Sequence, residues 1–427
     1  MKITLCRPSP HGEIDAIPSK SYAHRALICA ALADTTTKIE CARSNRDINA
    51  TVSCLRSLGA EIDLSDGIYT VTPIKNTPKS ALLNPGESGS TLRFLLPVVA
   101  ALGVEAEFVT EGRLLSRPLS PLSDELIRHG AKITSPPLRI SGKISGGRYS
   151  FDGSVSSQFT TGLMLALPLI EKTGADNSIE LGKSIELLGK IESKPYIDLS
   201  RAVLEKFGVK TEERENTYII KGSFSSPEYV RVEGDWSNAA FMLCAGALSE
   251  SGVTVRGLDM NSTQGDKKIT EILCQFGAKV EVSERGVSVK KRNMRGITID
   301  AADIPDLVPV ISVVASAAEG DTVIENCSRL RLKESDRVES VCAMITSLGG
   351  DIESVGDSIV IHGKKTLSRV GETEINSYND HRIVMSAAVG SILFDGCVTI
   401  DGCEAVSKSY PDFFDDFGNL CIGNAHV

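Results

Sequence analysis

The sequence of 427 residues has few aromatic residues, no excess of basic charge and no long apolar run. Aromatic side chains make up 5% of the chain, and tryptophan occurs once. No stretch is long and charge-free enough to cross a bilayer as a helix, so the composition predicts a protein that does not span a membrane. The formal net charge of -9 argues against a surface that binds nucleic acid.

The amino terminus also lacks the apolar core of a signal peptide. The segment "MKITLCRPSPHG" has the pattern of a short strand followed by a turn. A hydrophobic content of 41% is typical of a globular protein. We therefore expect a globular cytoplasmic protein, and a chain of this length predicts two or more domains.

Paired cysteines are absent as well. The eleven cysteines stand singly, with no Cys-x-x-Cys motif and none between Cys54 and Cys244. Neither a disulfide framework nor a zinc site is predicted from this pattern. Most of these thiols are expected to be small buried side chains.

What the sequence does contain is a sixfold internal repeat. Segments of the type "LGAEI" and "FGAKV" follow six helix-like stretches, and each has a glycine as its second residue. These glycines lie 69 to 78 residues apart: Gly59, Gly130, Gly208, Gly277, Gly349 and Gly418. A glycine that ends a helix in the left-handed conformation and precedes a strand explains each of them. The spacing predicts six repeats of about 70 residues.

A second series of segments runs in step with the first. Six apolar segments rich in small residues, from "SYAHRALICAALA" to "DHRIVMSAAVGSIL", each begin with Ser or Asp, which favour helix N-caps. They predict six buried helices. Hairpin patterns such as "AEIDLSDGIYTVTP" follow five of the six glycines.

The sixth repeat leaves no room for its second hairpin strand before Val427. The N-terminal segment "KITLC" could supply that strand, and both termini would then belong to one domain. This organisation predicts an α/β fold with two domains of three repeats each, residues 14–230 and residues 1–13 with 231–427. The chain would cross between them near Gly12 to Ala16 and near Val230 to Asp235.

Hydroxyl groups and cations recur at the predicted helix starts. A helix N-terminus presents unpaired N–H groups and a partial positive charge, which favour phosphate and carboxylate groups. Lys20, Arg25, Arg93 and Arg382 each lie near the start of one of these helices. A single serine-rich helix start is usually structural. The recurrence in phase with the repeats instead indicates a cleft that binds a substrate with at least two anionic groups.

The segment "LRLKESDRVES", Leu330 to Ser340, carries six charged side chains in eleven residues. One interpretation is a solvent-exposed face with ion pairs between neighbouring turns, in which Leu330, Leu332 and Val338 face a core. The alternative is a reactive site. The segment alone favours the first interpretation, because runs of charge usually lie at the surface.

Nine motifs change this balance through their resemblance to a known family. They are "PSKSYAHRAL", "ESGSTLRFL", "SRPLSPL", "GSVSSQF", "SKPYID", "IPDL", "LRLKESDR", "YNDHR" and "SKSYPDFF", and they extend from Pro18 to Phe414. In content and order they resemble the 5-enolpyruvylshikimate-3-phosphate (EPSP) synthase family of the shikimate pathway of aromatic amino acid biosynthesis. Its members transfer the enolpyruvyl group of phosphoenolpyruvate to the 5-hydroxyl of shikimate 3-phosphate and release phosphate. The resemblance implies an inside-out α/β barrel fold of six βαβαββ repeats, a monomer without cofactor or metal, and an active site in the cleft between the domains.

The resemblance also implies ligands for each substrate. Shikimate 3-phosphate would be held mainly by the first domain, through Lys20, Ser21, Arg25, Ser156, Ser157, Gln158, Ser193 and Tyr196, together with Asp306 and Lys333. Phosphoenolpyruvate would be held by Lys20, Gly89, Arg117, Gln158, Arg337, Arg382 and Lys408. Three arginines suit a ligand that has both a carboxylate and a phosphate, because a guanidinium group binds each bidentately.

Four residues are implied in catalysis. Addition followed by elimination needs acid and base groups on opposite sides of the reacting carbons. Glu334 resembles the residue that protonates C3 of phosphoenolpyruvate, and Asp306 resembles the group that handles the proton of the attacking hydroxyl. Lys20 would share proton transfer or neutralise charge as the tetrahedral intermediate forms. His381 is a further catalytic candidate, and a purely structural imidazole is the alternative.

Two positions depart from the family pattern. Arg329 occupies a place where some relatives use Asn toward the sugar phosphate, so it is not included among the ligands. Glu87 stands where the family commonly has Asn. A carboxylate beside an anion site is unfavourable unless it turns away or pairs with a cation such as Arg93 or Lys20. The contacts to phosphoenolpyruvate around Glu87 are therefore the least defined part of the expected site.

Two other functions remain as alternatives. A sister enzyme transfers enolpyruvyl to UDP-N-acetylglucosamine on the same fold, but it typically has a reactive cysteine in the loop written here "TEGRLLSRPL", where this chain has none. A ring-like module that encircles nucleic acid would need equivalent basic positions in all six repeats. Lys20, Arg117, Lys333 and Lys408 are not equivalent in the repeats, so small-molecule substrates are expected rather than nucleic acid.

Overall fold

The computed structural model describes residues 1–170, 182–364 and 370–421. The chain forms two compact units. One, called the terminal unit here, consists of Met1–Ser19 and Glu233–Val427, and the other, the central unit, is Lys20–Val232. Each unit has its own hydrophobic core. No helix in the described ranges combines the length and the apolar character needed to cross a membrane.

The central unit contains three four-stranded sheets. Across each sheet the strands are, in order, β14 (Tyr229–Arg231), β3 (Thr37–Glu40), β5 (Ile68–Thr72) and β4 (Glu61–Ser65); β6 (Ser80–Gly86), β7 (Glu105–Thr110), β9 (Leu138–Ser141) and β8 (Lys132–Thr134); β10 (Gly147–Asp152), β11 (Lys183–Leu188), β13 (Thr217–Lys221) and β12 (Lys210–Arg214). In each sheet the first two strands are parallel and the last two form an antiparallel hairpin. A βαβαββ repeat produces this pairing, because parallel strands need a helical crossover whereas a short turn joins a hairpin.

The terminal unit repeats the same arrangement. Its sheets are β2 (Gly12–Asp15), β15 (Val253–Arg256), β17 (Gly286–Lys290) and β16 (Lys279–Ser283); β18 (Thr298–Asp300), β19 (Gly320–Glu325), β21 (Ser358–Gly363) and β20 (Ile352–Val355); β22 (Val370–Asn376), β23 (Asp395–Asp401) and β1 (Lys2–Cys6). In the last sheet β1 pairs antiparallel with β23 and takes the place of the missing hairpin strand. The six-repeat α/β fold predicted from the sequence is confirmed in its repeats.

Two sets of helices alternate along the chain. The first set is almost entirely buried and comprises α1 (Lys20–Ala31), α3 (Gly89–Leu102), α5 (Ser157–Ala166), α7 (Trp236–Leu248), α9 (Val308–Ala317) and α11 (His381–Gly390). The second set buries one face only and comprises α2 (Arg46–Ser57), α4 (Leu122–Arg128), α6 (Lys194–Lys206), α8 (Ile269–Phe276), α10 (Arg337–Ser347) and α12 (Phe413–Cys421). The six predicted buried helices are therefore present.

The repeat glycines follow the prediction with one exception. Gly59, Gly130, Gly208, Gly277 and Gly349 all have positive φ angles, between 80° and 114°, and each is followed by a hairpin. The prediction for Gly418 is wrong, because α12 continues through this residue to Cys421.

The chain passes between the units at two places, Ser19–Lys20 and Val232–Glu233. It leaves the terminal unit after Ser19, because β2 pairs with β15 inside that unit. It returns after Val232, because β14 still pairs with β3 of the central unit. The first strand of each crossing repeat thus belongs to a different unit from the helix that follows it.

The segments that lead to the crossings lie side by side in the terminal unit. Pro18 and Gly234 form an antiparallel bridge, and the amide of Ser19 donates to the carbonyl oxygen of Glu233 at 2.8 Å. The buried side chain of Gln264 joins both segments, since it accepts from Ser19 Oγ at 3.2 Å and donates to the Gly234 carbonyl oxygen at 2.8 Å.

One disulfide differs from the sequence-based expectation that cysteines are unpaired. Cys6 and Cys397 face each other in the pairing of β1 with β23 and are bonded. They are 391 residues apart, so their spacing along the chain could not reveal this neighbourhood. Of the remaining cysteines most are buried, as predicted.

Candidate active site

The start of α1 places a predicted ligand, Lys20, beside a partner that the sequence did not indicate. Lys20 is the first residue of this helix, and its Nζ lies 3.0 Å from Oδ2 of Asp47 near the start of α2. Both side chains are mostly buried, with exposed fractions of 16% and 15%. Asp47 carried no recognisable signal, because it is 27 residues away along the chain and resembles an ordinary first-turn acid.

Arg25, one turn further along α1, is a buried cation held by neutral oxygen atoms. Its guanidinium donates to Ser200 Oγ at 2.8 Å, to the carbonyl oxygens of Ser21 and Tyr196 at 2.6 and 3.1 Å, and to Thr161 Oγ1 at 3.4 Å. No carboxylate in the described ranges pairs with it. Burial consequently lowers the pKa of Arg25 to about 10. A desolvated cation of this kind favours an anionic ligand strongly, because the ligand supplies the missing counter-charge.

The start of α6 lies against the same guanidinium. Ser193 is the N-cap residue of α6, is only 2% exposed and has a φ angle of 55°. This left-handed conformation is unfavourable for a residue with a side chain, and such positions cluster at functional sites. Tyr196 follows in the first turn, where its backbone oxygen binds Arg25. The structure therefore groups Ser193, Tyr196, Ser21 and Arg25, all predicted to hold the phosphorylated sugar.

Two further helix starts form a second group in the central unit. Helix α3 begins at Gly89, where an added Cβ atom would lie 3.0 Å from Nη1 of both Arg117 and Arg93. Gln158, in the first turn of α5, accepts from Arg93 Nη1 at 2.7 Å and donates to Ser90 Oγ at 3.0 Å. The N-terminus of α3 is thus bordered by two guanidinium groups.

The remaining predicted residues of α5 sit at its N-terminus. Ser156 is the N-cap residue and accepts from the amide of Gln158 at 3.3 Å, and the buried Ser157 is the first residue of the helix. The hydroxyl groups of Ser156 and Ser157 therefore lie at the helix end that favours anions.

Glu87 turns toward the loop after β7. Its side chain packs against the backbone of Gly112 and fills the space that a Cβ atom there would need. Gly112 has a φ angle of 55°, so the position favours glycine for its backbone conformation as well.

In the terminal unit, Arg337 is the centre of a cluster of charges. It is the first residue of α10 and only 1% exposed. Its guanidinium donates to Asp380 Oδ2 at 2.8 Å, to Asp306 Oδ1 at 2.7 Å and to Glu334 Oε2 at 2.7 Å. Burial lowers the pKa of Arg337, but the three carboxylates outweigh it and hold that pKa well above its usual value.

Asp306 receives two more cations. Arg382 Nη2 lies 3.1 Å from its Oδ2 atom, and Lys333 Nζ lies 3.5 Å from its Oδ1 atom. Burial raises the pKa of Asp306, whereas Arg382, Lys333 and Arg337 hold it well below the usual value. Burial also lowers the pKa of Lys333 to about 8, an effect that the charge of Asp306 opposes.

The segment "LRLKESDRVES" is therefore only partly a solvent-exposed face. Leu330 and Val338 are buried as predicted, whereas Leu332 is 46% exposed and that prediction is wrong. Arg331 forms an ion pair with Asp336 at 3.1 Å, as expected for a solvent-exposed face. The buried Arg337, by contrast, belongs to the charge cluster.

The start of α11 completes the cluster. Asp380 is the N-cap residue, fully buried, and accepts from the amide of Arg382 at 2.9 Å as well as from Arg337. His381 is 3% exposed, and its Nδ1 lies 3.9 Å from Asp380 Oδ1. The buried Lys408 donates to the carbonyl oxygen of Asn379 at 2.6 Å, which places it beside the same helix start.

Asp380 is the main residue that the sequence reasoning missed in this unit. It lies inside the motif "YNDHR", where only the following His381 and Arg382 were considered. Its N-cap position was visible in the sequence. Its ion pair with Arg337, 43 residues earlier, was not.

Comparison with known proteins first places the chain in a class. Two structurally similar proteins are the EPSP synthase of Acinetobacter baumannii (TM-score 0.79, 24% identity, covering 99% of this chain and 98% of that one) and the enolpyruvyl transferase NikO of Streptomyces tendae (TM-score 0.76, 16% identity, 98% and 97%). The fold is that of an enolpyruvyl transferase.

The sequence comparisons then give the family. The profile described as EPSP synthase (3-phosphoshikimate 1-carboxyvinyltransferase) matches residues 9–417. Curated relatives named 3-phosphoshikimate 1-carboxyvinyltransferase from Clostridium kluyveri and Clostridium perfringens strain 13 are each 38% identical, over 98% of this chain and 97% and 98% of theirs. The chain belongs to the EPSP synthase family, and the predicted membership among shikimate-pathway enolpyruvyl transferases is confirmed. The UDP-N-acetylglucosamine alternative is not favoured.

Proposed function

We propose that the chain transfers the enolpyruvyl group of phosphoenolpyruvate to the 5-hydroxyl of shikimate 3-phosphate, with the residue roles given below. The observation that carries the assignment is the contrast between the two units. The central unit holds a buried cation, Arg25, that pairs with no carboxylate of the described residues, whereas in the terminal unit three cations surround carboxylates. A buried cation of this kind suits the binding of an anionic substrate, and carboxylates held by cations suit proton transfer.

Shikimate 3-phosphate is assigned mainly to the central unit. Its phosphate would accept hydrogen bonds from Ser21, Arg25 and the hydroxyls of Ser156 and Ser157, while Tyr196 packs on the ring. Lys20, Gln158, Ser193, Asp306 and Lys333 complete the proposed ligand set. The support is that Ser21, Ser193, Tyr196 and Arg25 are neighbours in the fold.

Phosphoenolpyruvate is assigned to the start of α3. Helix amides beginning at Gly89 and the guanidinium group of Arg117 would bind its anionic groups, together with Lys20 and Gln158. Arg337, Arg382 and Lys408 from the terminal unit are proposed as further ligands. This assignment requires residues from both units to act on the same substrate pair.

The proposed chemistry uses two carboxylates. Glu334 protonates C3 of phosphoenolpyruvate while the 5-hydroxyl oxygen of the sugar attacks C2, and Asp306 takes the hydroxyl proton. The resulting tetrahedral intermediate then loses phosphate as the new methyl group returns a proton. Positive charge from Lys20 and the arginines stabilises the phosphate groups during both steps.

The ion pairs around Asp306 would make the pKa of this proposed base depend on bound substrate. Lys333, Arg337 and Arg382 contact its carboxylate, and the same three residues are proposed substrate ligands. When anionic substrates draw these cations away, Asp306 loses counter-charge and its pKa rises, so it becomes a stronger base. The base would therefore be strongest only when both substrates are bound.

The test of the proposed function is a direct assay of phosphate release. Purified protein and phosphoenolpyruvate are mixed with shikimate 3-phosphate or, in parallel, with UDP-N-acetylglucosamine. Phosphate release with shikimate 3-phosphate alone is expected. Release only with the UDP-sugar would overturn the proposal.

We further propose a cytoplasmic monomer that acts on these small molecules and not on nucleic acid. Both substrates are phosphorylated metabolites, which membranes retain inside the cell, and one chain supplies every residue of the proposed ligand sets. Light scattering on the purified protein would measure the mass of the particle.

Substitution of Gly89 by alanine is expected to weaken binding of phosphoenolpyruvate without unfolding the protein. Gly89 lies in a helix and is not among the glycines with positive φ, so alanine fits its backbone. The added methyl would press on the guanidinium groups of Arg93 and Arg117, and crowding of this size costs about 1–3 kcal/mol. We expect the KM for phosphoenolpyruvate to rise about tenfold, and inhibition by glyphosate, a longer competitor implied by the family resemblance, to weaken further.

Steady-state kinetics with Gly182→Ala as the matched control check this prediction. An added Cβ atom at Gly182 would meet no atom of the described residues within 4 Å, so the kinetics of this variant should match the wild type. Unchanged glyphosate inhibition in Gly89→Ala would show that this residue does not border the phosphoenolpyruvate site.

The pKa of Lys333 predicts an alkaline limit to activity. Burial lowers it from 10.5 to about 8, so the ammonium group is charged below pH 8 and progressively neutral above it. Because the charged form is proposed to bind the sugar phosphate, kcat/KM for shikimate 3-phosphate should fall as the pH rises through about 8. In the variant Lys333→Arg this fall in kcat/KM should occur at higher pH, since arginine keeps its charge. An identical pH profile in this variant and in Lys364→Arg, an exposed control, would contradict the assignment.

A further inference from the structure

A line of buried hydrogen bonds connects α1 and α2 to the start of α3. Nδ1 of His24 lies 2.7 Å from Oγ1 of Thr51, which lies 2.7 Å from Oγ1 of Thr91. Thr91 Oγ1 in turn donates to Oγ of Ser88 at 2.8 Å. Ser88 is the N-cap residue of α3 and directly precedes Gly89. All four residues are at most 1% exposed.

The protons along this line have one consistent arrangement. A hydroxyl group has a single proton to donate. Thr91 gives its proton to Ser88, so Thr51 must donate to Thr91. Thr51 can then only accept from His24, which requires the proton of the imidazole to be on Nδ1. The chain of donors therefore runs in one direction, from His24 to Ser88.

The opposite nitrogen of the ring agrees with this arrangement. Nε2 of His24 is buried and has no hydrogen-bond partner among the described residues. A bare lone pair there is less costly than a buried N–H group without an acceptor. Protonation of His24 would create that N–H group, and burial together with the charges of Lys20 and Arg25 lowers the pKa of His24 well below its usual value. The ring is thus neutral, with Nδ1 as its donor.

The last link determines what the line can control. Oγ of Ser88 accepts both from Thr91 Oγ1 and from the amide of Thr91, at 2.8 and 3.2 Å. These two bonds fix the first turn of α3. The next free amides of this turn belong to Gly89 and Ser90, and no acceptor for them occurs in the described part of the chain, as is usual for the first residues of a helix. Their direction is therefore determined by the position of Ser88.

We propose that His24 is a positioning residue for phosphoenolpyruvate, acting through Thr51, Thr91 and Ser88 on the amides at the start of α3. This inference rests on the proposed binding of phosphoenolpyruvate at that helix start. It assigns a function to a buried histidine that touches neither substrate. It also explains why a polar line crosses an otherwise apolar part of the core.

The kinetic test compares Thr51→Val with Thr51→Ser. Valine keeps the shape of threonine but removes the hydroxyl, whereas serine keeps the hydroxyl. We expect Thr51→Val to raise the KM for phosphoenolpyruvate about three- to tenfold, as for the loss of one net hydrogen bond, with kcat and the KM for shikimate 3-phosphate changed less than twofold. Thr51→Ser should restore the wild-type KM. Equal changes in both KM values, or no change in a folded Thr51→Val protein, would overturn the proposal.

A spectroscopic test uses the wild-type protein and so does not depend on a variant that folds. Long-range proton–nitrogen NMR spectra distinguish the two neutral tautomers of histidine, and His24→Asn identifies the His24 signals among the six histidines. The Nδ1–H tautomer is expected, unchanged across the pH range of activity. An Nε2–H tautomer or a charged ring would contradict the donor direction. The two proposals can fail separately. If the wild-type protein released no phosphate from the two substrates, the proposed function would be refuted, whereas the tautomer of His24 would still decide the direction of the hydrogen bonds.

Discussion

Glu334→Gln is expected to lower kcat by about two to four orders of magnitude, the range for loss of a general acid or base. Glu334 accepts from Arg337 at 2.7 Å, and the side-chain oxygen of glutamine can accept the same hydrogen bond. Binding of both substrates should therefore be largely retained. Because the variant lacks the acidic proton, incorporation of deuterium from D2O into the methylene group of phosphoenolpyruvate should fall in parallel with kcat.

The matched control is Glu339→Gln, an exposed carboxylate in the first turn of α10. It carries the same change of charge a few residues away and should leave kcat unchanged. Retention of more than a tenth of the wild-type kcat in Glu334→Gln would remove Glu334 from the role of proton donor. Loss of substrate binding in a calorimetric titration would point instead to a role in holding Arg337.

Arg25→Met should weaken the binding of shikimate 3-phosphate by about 100-fold and leave the folded state intact. Hydrogen bonds to a charged group contribute about 1.5–3 kcal/mol each, and loss of a buried cation removes them together with the counter-charge of the phosphate. The stability should not fall in proportion, because Arg25 has no carboxylate partner among the described residues. Replacing a buried cation with an apolar side chain of similar length removes the free-energy cost of its desolvation.

The two effects can be measured separately, as the KM for shikimate 3-phosphate and as the melting temperature. Arg201→Met is the control in the same unit, because Arg201 lies in α6 and pairs with Glu213 at 2.5 Å and with Asp198 at 3.3 Å. Its KM should stay near the wild-type value. A normal KM in Arg25→Met, or a large loss of stability with proportionate loss of activity, would show that Arg25 is a structural residue.

The repeats were predictable because each rests on a local rule. A glycine with positive φ at a helix end and a hairpin of alternating residues can each be recognised from a few neighbouring residues of the sequence. Five of the six glycines were therefore assigned correctly. The prediction for Gly418 was wrong because the same sequence pattern also fits the interior of α12. The exact points of crossing follow no local rule, since β2 is held in the terminal unit by its partner β15, more than 230 residues away.

The site was predictable in its residue types and less so in its connections. Lys333, Glu334 and Arg337 were visible as crowded charges within one motif. Their partners, Asp306 and Asp380, come from an earlier part of the same repeat and from the next repeat, and only the fold shows that Arg337 bonds to both. The same holds for the line from His24 to Ser88, whose members lie on three helices and look like ordinary core and cap residues in the sequence.

The side-by-side course of the segments around Ser19 and Glu233 has a consequence for how such a chain can be divided. The central unit is one continuous stretch, Lys20–Val232, inserted into a terminal unit whose two parts are hydrogen-bonded to each other at the insertion point. Exposed or adjacent chain ends of this kind are where domain insertion is tolerated. The terminal unit could accordingly be made as a single continuous polypeptide by a short link from Ser19 to Glu233, and a gene cut at these two positions would separate the unit that contains Arg25 from the unit that contains the charge cluster around Arg337.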